Sequence, residues 1–403
     1  MTNSARSLRA RGAALVAALA LLGLAGCDAS AGIGALGPGD EPSVAETSAA
    51  PAAPVVRTNI ARGATDVPVS TLVTVGAKRG SLTKVTAGYA DGELPGSLSQ
   101  DGTTWTAEDR LEPGQTYTVT AVARGAEGTR TRRTTSFTTQ ALTLDQQTYP
   151  SVAPLDGETV GVGMPVIVTF DVAVTDRASI EQHLSVTSTP AQAGSWHWIS
   201  DNEVHWRPRT YWQAGTQVHV EADVNGVDAG GGIYGQEDRV VDFTVGDAHV
   251  YKVDARTHQM KVFSNGDLLR TIPITTGKAG FTTRSGTKVI IEKFAEKRMN
   301  SETVGIPADS AEAYDIDDVK WAMRLTYSGE FIHAAPWSVG SQGYANVSHG
   351  CTGMSTENAG WLYAMSRRGD VVEYTGTDRP MEPTNGYGDW NIDYRDYKAD
   401  SAL

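Results

Sequence analysis

Two stretches of about a hundred residues carry the same landmarks in the same order. Trp105, Gly114, Tyr117, Val119 and Phe137 in the first correspond to Trp206, Gly215, Val218, Val220 and Phe243 in the second. Trp and Gly are both offset by 101 positions (206 − 105 and 215 − 114). Within each stretch, short β-rich runs alternate with turn signals. Thr116 to Val122 alternates cleanly after the turn Glu112-Pro113-Gly114, and Thr134 to Thr138 closes the first module. Runs of this length and spacing predict two tandem β-sandwiches, over residues 55–142 and 143–247. Trp196, Trp198, Trp206 and Trp212 could form a glycan-binding platform, but core and rim packing of a sandwich is the reading adopted. Gly230-x-Gly232-x-x-Gly235 spells a dinucleotide fingerprint, yet no strand-to-helix pattern surrounds it, so a glycine-rich turn is expected there.

Both modules resemble the immunoglobulin-like domains of bacterial wall proteins. The rest of the chain is read around its two cysteines, since 2 in 403 residues exclude a disulfide scaffold and a Cys-only zinc ribbon. With 34 Lys+Arg against 47 Asp+Glu the net charge is −13, which lacks the basic stripe that nucleic-acid binding needs. Arg6, Arg9 and Arg11 precede an apolar run from Ala13 to Leu24, too short to span a bilayer but suited to an export signal. It ends Leu24-Ala25-Gly26-Cys27, which resembles the lipobox of bacterial lipoproteins and implies cleavage after residue 26 and acylation of Cys27. Acyl chains at about 0.8 kcal/mol per buried CH₂ would hold the protein on the outer face of a membrane, facing the cell wall. Residues 28–54, rich in Ala, Gly, Pro, Ser and acids, read as a disordered tether reaching roughly 30 Å.

From about Ala248 the pattern changes. Val250–Val253, Met260–Phe263, Leu268–Ile274 and Lys288–Glu292 read as strands, with Asn265-Gly266 as a type I′ hairpin turn. The second cysteine sits in Ser348-His349-Gly350-Cys351. A thiol attacks as thiolate, so it needs a partner to take its proton. His333, 18 residues upstream, can fold back to it. His349, two residues away on the same face of an extended segment, is not excluded as base by spacing alone. Ser355 can cap a helix running to about Arg368, with Trp361, Leu362 and Met365 on one face and Gly369 as its stop. That would set Cys351 just before a helix N-terminus, whose dipole favours thiolate.

His333 followed by Ser348-His349-Gly350-Cys351 resembles the signature of the YkuD-type L,D-transpeptidase catalytic domain, over about residues 248–375. Thr275-Thr276-Gly277, Thr283-x-Ser285-Gly286-Thr287, Ala335-Pro336-Trp337-Ser338 and Gly388-Asp389-Trp390-Asn391 are further matches. The order of parts resembles actinobacterial cell-wall members of that family. The resemblance implies a mainly β chain: a signal peptide (1–27), the tether, two sandwiches, the catalytic domain, and a tail (376–403) packed back on it. It implies Cys351 as nucleophile, His333 as base oriented by the Ala334 carbonyl, and an oxyanion hole from the Gly350 and Cys351 amides beside His349. Substrate contacts would fall on Met299, Tyr314, Ser328, Gly329, Trp337, Ser348 and Gly353, with residues 300–318 as a covering loop.

The implied reaction joins peptidoglycan stem peptides in 3→3 cross-links through a thioester, without metal or cofactor, and is blocked by carbapenem β-lactams. The same residues would serve an L,D-carboxypeptidase, and a non-catalytic wall-binding lipoprotein is the alternative outside enzymes. Gly353, where many members carry Asn or Arg, and Val304, where some carry Tyr, are departures at the substrate cleft. Asn346-Val347-Ser348 has the letters of a glycosylation acceptor and is read as accidental.

Overall fold

The structure, a computed structural model, describes residues 52–403. Cys27, the apolar run and nearly all of the tether lie outside the described residues.

The first module is two four-stranded sheets. One runs Val55–Thr58, Thr74–Lys78, Thr104–Ala107, Gly96–Leu98; the other Gly92–Glu93, Ser81–Tyr89, Thr116–Arg124, Arg130–Thr138. Along Thr116–Arg124 every second side chain (Tyr117, Val119, Ala121, Ala123) is buried, the period that lets one face of a strand fill a core. Phe137 stacks on Tyr117 with ring centroids 5.5 Å apart.

The second module repeats the plan. Its sheets run Pro150–Ala153, Val166–Phe170, Glu203–Pro208, Gly194–Ser200, and Thr159–Val160, Arg239–Val245, Gln217–Ala222, Leu184–Thr189. The repeat extends to atomic packing. A Cβ on Gly96 would lie 2.2 Å from the Trp105 indole, and one on Gly194 would lie 2.3 Å from the Trp206 indole. Each tryptophan is thus roofed by a glycine on the neighbouring hairpin strand.

Trp196, Trp198, Trp206 and Trp212 are all buried, so they form core and not a glycan platform. Gly230, Gly231 and Gly232 all have positive φ in the turn between Asp228–Gly230 and Ile233–Gly235, so this glycine run makes a hairpin. In one respect the module departs from simple alternation: five consecutive residues of Glu203–Pro208 are buried. Their second face is covered by the C-terminal segment. Arg207 lies under Trp390, Tyr394 and Tyr397 at 4.7, 5.3 and 4.3 Å from the ring centroids. The Trp390 indole donates to the Gly163 carbonyl at 2.8 Å.

The third region holds a five-stranded sheet, Asp267–Pro273, Gln259–Ser264, His249–Asp254, Val371–Thr375, Gly286–Val289. It also holds a four-stranded one, Glu292–Asn300, Asp315–Arg324, Phe331–Ala334, Thr352–Met354. Tyr251, Met260, Ile272, Ile290, Met323, Ile332, Met354 and Leu362 form its core. Asn265 and Gly266 have φ of 51° and 92°, as the hairpin turn requires. The expected continuous strand Lys288–Glu292 is broken instead: the chain leaves one sheet after Val289 and joins the other at Glu292, with Ile290 and Ile291 between.

The helix runs from Thr356 to Met365, with the Ser355 hydroxyl accepting from the Asn358 amide. Arg367 and Arg368 therefore lie beyond it, not in its last turn. The reason is a contact with the second module: Gly161 and Gly163 amides donate to the carbonyls of Arg368 and Gly369, and the Arg368 guanidinium pairs with Glu158. That cross-module pairing takes the chain out of helical conformation.

Candidate active site

His333 projects from Phe331–Ala334, whose four residues are all buried. The neighbouring strand Thr352–Met354 runs parallel to it, with His333 opposite Gly353. Cys351 stands just before that strand, so the register alone brings thiol and imidazole to one end of one strand pair. Both line a cavity of about 250 Å³ together with Met299, Tyr314, Trp337, Ser348, His349 and Gly353. A second cavity of about 270 Å³, lined by Val304, Tyr327, Gly329 and Phe331, reaches the same thiol. Met299 and Tyr314 border both, so Cys351 is open to two cavities at once. Ser328 lines neither: its amide donates to the Asn385 side chain at 2.9 Å, and its hydroxyl accepts from it at 2.8 Å.

The loop before the thiol is held by the threonine-rich motifs. The Ser348 amide donates to the Thr276 carbonyl, the Lys278 amide donates to the Ser348 carbonyl, and the Thr283 hydroxyl donates to the Gly350 carbonyl at 2.7 Å. The Ser348 hydroxyl donates to the Cys351 carbonyl at 2.6 Å. Gly350 has φ of 121°, which only glycine adopts without strain. Gly353 fits because a Cβ there would lie 2.8 Å from that of Ala335. Asn346 is fully engaged, bonding Ala255, Thr276 and His258, which leaves its amide no role as a glycan acceptor.

His333 Nδ1 donates to the Ala334 carbonyl at 2.8 Å. A carbonyl can only accept, so the proton sits on Nδ1 and Nε2 presents its lone pair. Burial lowers the imidazole's pKa, which keeps it neutral, although the Ala334 bond opposes this. Burial also drives the Cys351 thiol up, to about 12, against the pull of the Phe331 amide. The sulfur donates weakly to the Gly329 carbonyl at 3.6 Å. Burial thus favours the neutral form of both the thiol and the imidazole, which line one cavity. Cys351 does not sit directly at the helix N-terminus, because a three-residue strand, roughly 10 Å long, separates it from the helix cap.

Two further placements differ from expectation. The Gly350 amide, expected to face an oxyanion, donates to the Ser348 hydroxyl at 3.1 Å. His349 is clamped: its Nε2 lies 2.7 Å from Glu312, which also pairs with Lys278 at 2.5 Å. Phe281 and Tyr314 flank the His349 ring with centroids 4.6 and 5.2 Å away. Glu312, Lys278 and Phe281 carry no motif in the sequence, and only the fold brings them together. Among the described residues no cluster of three or more His, Cys, Asp or Glu could hold a metal ion.

Comparison with known proteins matches this arrangement. The L,D-transpeptidase catalytic domain family (YkuD) covers residues 248–373, and a bacterial Ig domain family covers 64–228. L,D-transpeptidase 2 of Mycobacterium tuberculosis is 38% identical over 351 residues, 87% of this chain and 85% of that one. The chain belongs to the L,D-transpeptidase family. L,D-transpeptidase 5 of the same organism is 34% identical over 362 residues, 88% of this chain and 78% of that protein. The solved structure of the LD transpeptidase LdtMt1 in complex with imipenem is 38% identical, covers 56% of this chain and 97% of its own, and superposes with a TM-score of 0.50. The L,D-transpeptidase region of this chain is an acyltransferase domain preceded by immunoglobulin-like modules.

Proposed function

We propose that this protein forms 3→3 cross-links between peptidoglycan stem peptides, using Cys351 as nucleophile and His333 as base. In the first half-reaction His333 Nε2 takes the thiol proton as sulfur attacks the carbonyl of the donor's third residue. The scissile C–N bond breaks, the proton passes to the departing D-alanine amine, and a thioester remains. In the second, the side-chain amine of a neighbouring stem attacks the thioester, gives a proton back through His333, and restores the thiol. Because burial favours the neutral thiol, His333 is needed to take its proton for attack to occur. The Cys351 amide serves as main-chain donor for the developing oxyanion, and the Gly350 amide joins it once the Ser348 hydroxyl turns away. Removal of one such donor costs about 3–4 kcal/mol.

The observation that carries this reading is the thiol's access to two cavities. A hydrolase needs room for one stem and water; an enzyme that joins two stems needs two approaches to one sulfur. Binding of imipenem by a relative supports acylation of Cys351 by carbapenems here. The export signal and lipobox support a lipid anchor at Cys27 on the outer membrane face, with the active site towards the wall. The test is incubation with disaccharide-tetrapeptide, read by mass spectrometry. Cross-linked dimer that vanishes in Cys351→Ala is the expected result; free tripeptide alone would make the protein a carboxypeptidase, and dimer retained by Cys351→Ala would remove the nucleophile.

A further inference from the structure

Next to the thiol the core holds charges that the reaction above does not use. Lys288 has no exposed surface, and Glu330 and Arg284 are buried with it. Glu330 accepts from the Lys288 ammonium, from Arg284 Nη1 at 2.9 Å and from the Arg284 amide at 3.1 Å. Lys288 Nζ also lies 3.7 Å from the centroid of Tyr374, whose hydroxyl bonds that of Thr352 at 2.6 Å. Arg284 reaches outward to Glu382 in the C-terminal segment.

Their position relative to the nucleophile is specific. Glu330 lies between Gly329, whose carbonyl meets the sulfur, and Phe331, whose amide acts on it. A Cβ on Gly350 would touch the Glu330 side chain at 3.8 Å. Thr352, bonded to Tyr374, follows Cys351 directly. Buried ion pairs are replaced by apolar residues at little or no cost to stability, so folding alone does not explain three charges here.

We propose that the buried Lys288–Glu330 pair is the positioning element of the nucleophile: Glu330 fixes the Gly329 carbonyl and Phe331 amide against the sulfur, and Lys288 sets an opposing charge beside it. This rests on Cys351 being the nucleophile. The charged and titratable groups around the thiol are His333, His349, Tyr314, Tyr374, Glu330 and Lys288, with Arg284 behind Glu330. Of these Glu330 resists ionisation of the thiol and Lys288 favours it. Arg284 and Glu382 extend the same network to the tail.

The opposite signs give the test. In the full chain, iodoacetamide alkylation is followed on the Cys351 peptide by mass spectrometry at about pH 8, where one unit of thiol acidity is a tenfold rate. Glu330→Gln should speed alkylation about tenfold and Lys288→Met should slow it about tenfold. A merely structural role would loosen the site in both variants and move both rates the same way; that outcome, or two unchanged rates, overturns the proposal. Should Glu330→Gln not fold, Glu382→Gln at its half-exposed position replaces it. Freed from that carboxylate, Arg284 should raise the rate, and an unchanged rate overturns the proposal. Carbapenem acylation is measured in parallel: a wild-type Cys351 that never acylates refutes the proposed function, while the alkylation rates still decide the pair.

Discussion

His205 and Asp389 form an ion pair between the second module and the C-terminal segment, Nδ1 to Oδ1 at 2.8 Å, with side-chain exposures of 2% and 1%. Burial alone would discharge the histidine, but Asp389 and Glu203 together raise its pKa from 6.5 to about 9. Burial likewise opposes the charge on Asp389, and His205 lowers its pKa below 3.8 nonetheless. The histidine's contribution is complete below pH 6.5 and is lost as pH rises through about 9. The carboxylate's is complete above pH 3.8 and fades below it. Stability should therefore peak between these limits. Asp389→Asn should cost about 3–5 kcal/mol at neutral pH and flatten the alkaline decline, both readable by thermal unfolding across pH.

The glycine-roofed tryptophans make the repeat testable. Gly96→Ala and Gly194→Ala each drive a methyl into an indole at 2.2–2.3 Å, so strand or ring must shift. Each should cost about 1–3 kcal/mol in denaturant unfolding. Losses of similar size in the two modules would show that the 101-residue repeat preserves an energetic relationship as well as an order of strands. Carbapenem acylation should be unaffected by Gly96→Ala, since the first module contributes no residue to either cavity.

For His333 the protonation argument fixes the shape of the pH profile. Acylation requires neutral imidazole, and burial lowers the pKa of that imidazole from 6.5. The acid limb of the acylation rate should therefore fall below pH 6.5, not at it. Because the thiol is raised to about 12, no second rise from free thiolate should appear between about pH 7 and 10. Stopped-flow acylation by a carbapenem measures both limbs. His333→Ala should lower the rate by about 10²–10⁴ at pH 7 and leave the circular dichroism spectrum unchanged.

Which parts of this were legible in the sequence follows from what each depends on. The sandwich strands could be read because alternation and turn residues are local, and Trp105 and Trp206 marked equivalent places. That Cys351 and His333 would share one cavity was legible because motif residues carry both. Helix length misled because Arg368 answers to Gly161 and Glu158, about two hundred positions away, and not to helical propensity. The dipole argument failed because spacing cannot distinguish a cap from a short intervening strand. Lys288, Glu330 and Glu312 were invisible for the same reason: a charged residue reads as solvated surface until the fold shows what lies over it.

Glu312 offers the last test, because it ties the 300–314 segment to the nucleophile loop. Its carboxylate holds Lys278 on one side and His349 on the other, and those two bonds lower its pKa, so it stays ionised below the usual 4.5. Tyr314, two residues on, borders both cavities and leans on the same His349 ring. Glu312→Gln keeps the shape and removes the charge, so Tyr314 loses the clamp that holds it over the thiol. Water would then compete better with an incoming amine for the thioester. With tetrapeptide substrate the ratio of tripeptide to dimer should rise several-fold while carbapenem acylation stays within about threefold of wild type. An unchanged ratio would mean that the segment excludes water without this carboxylate.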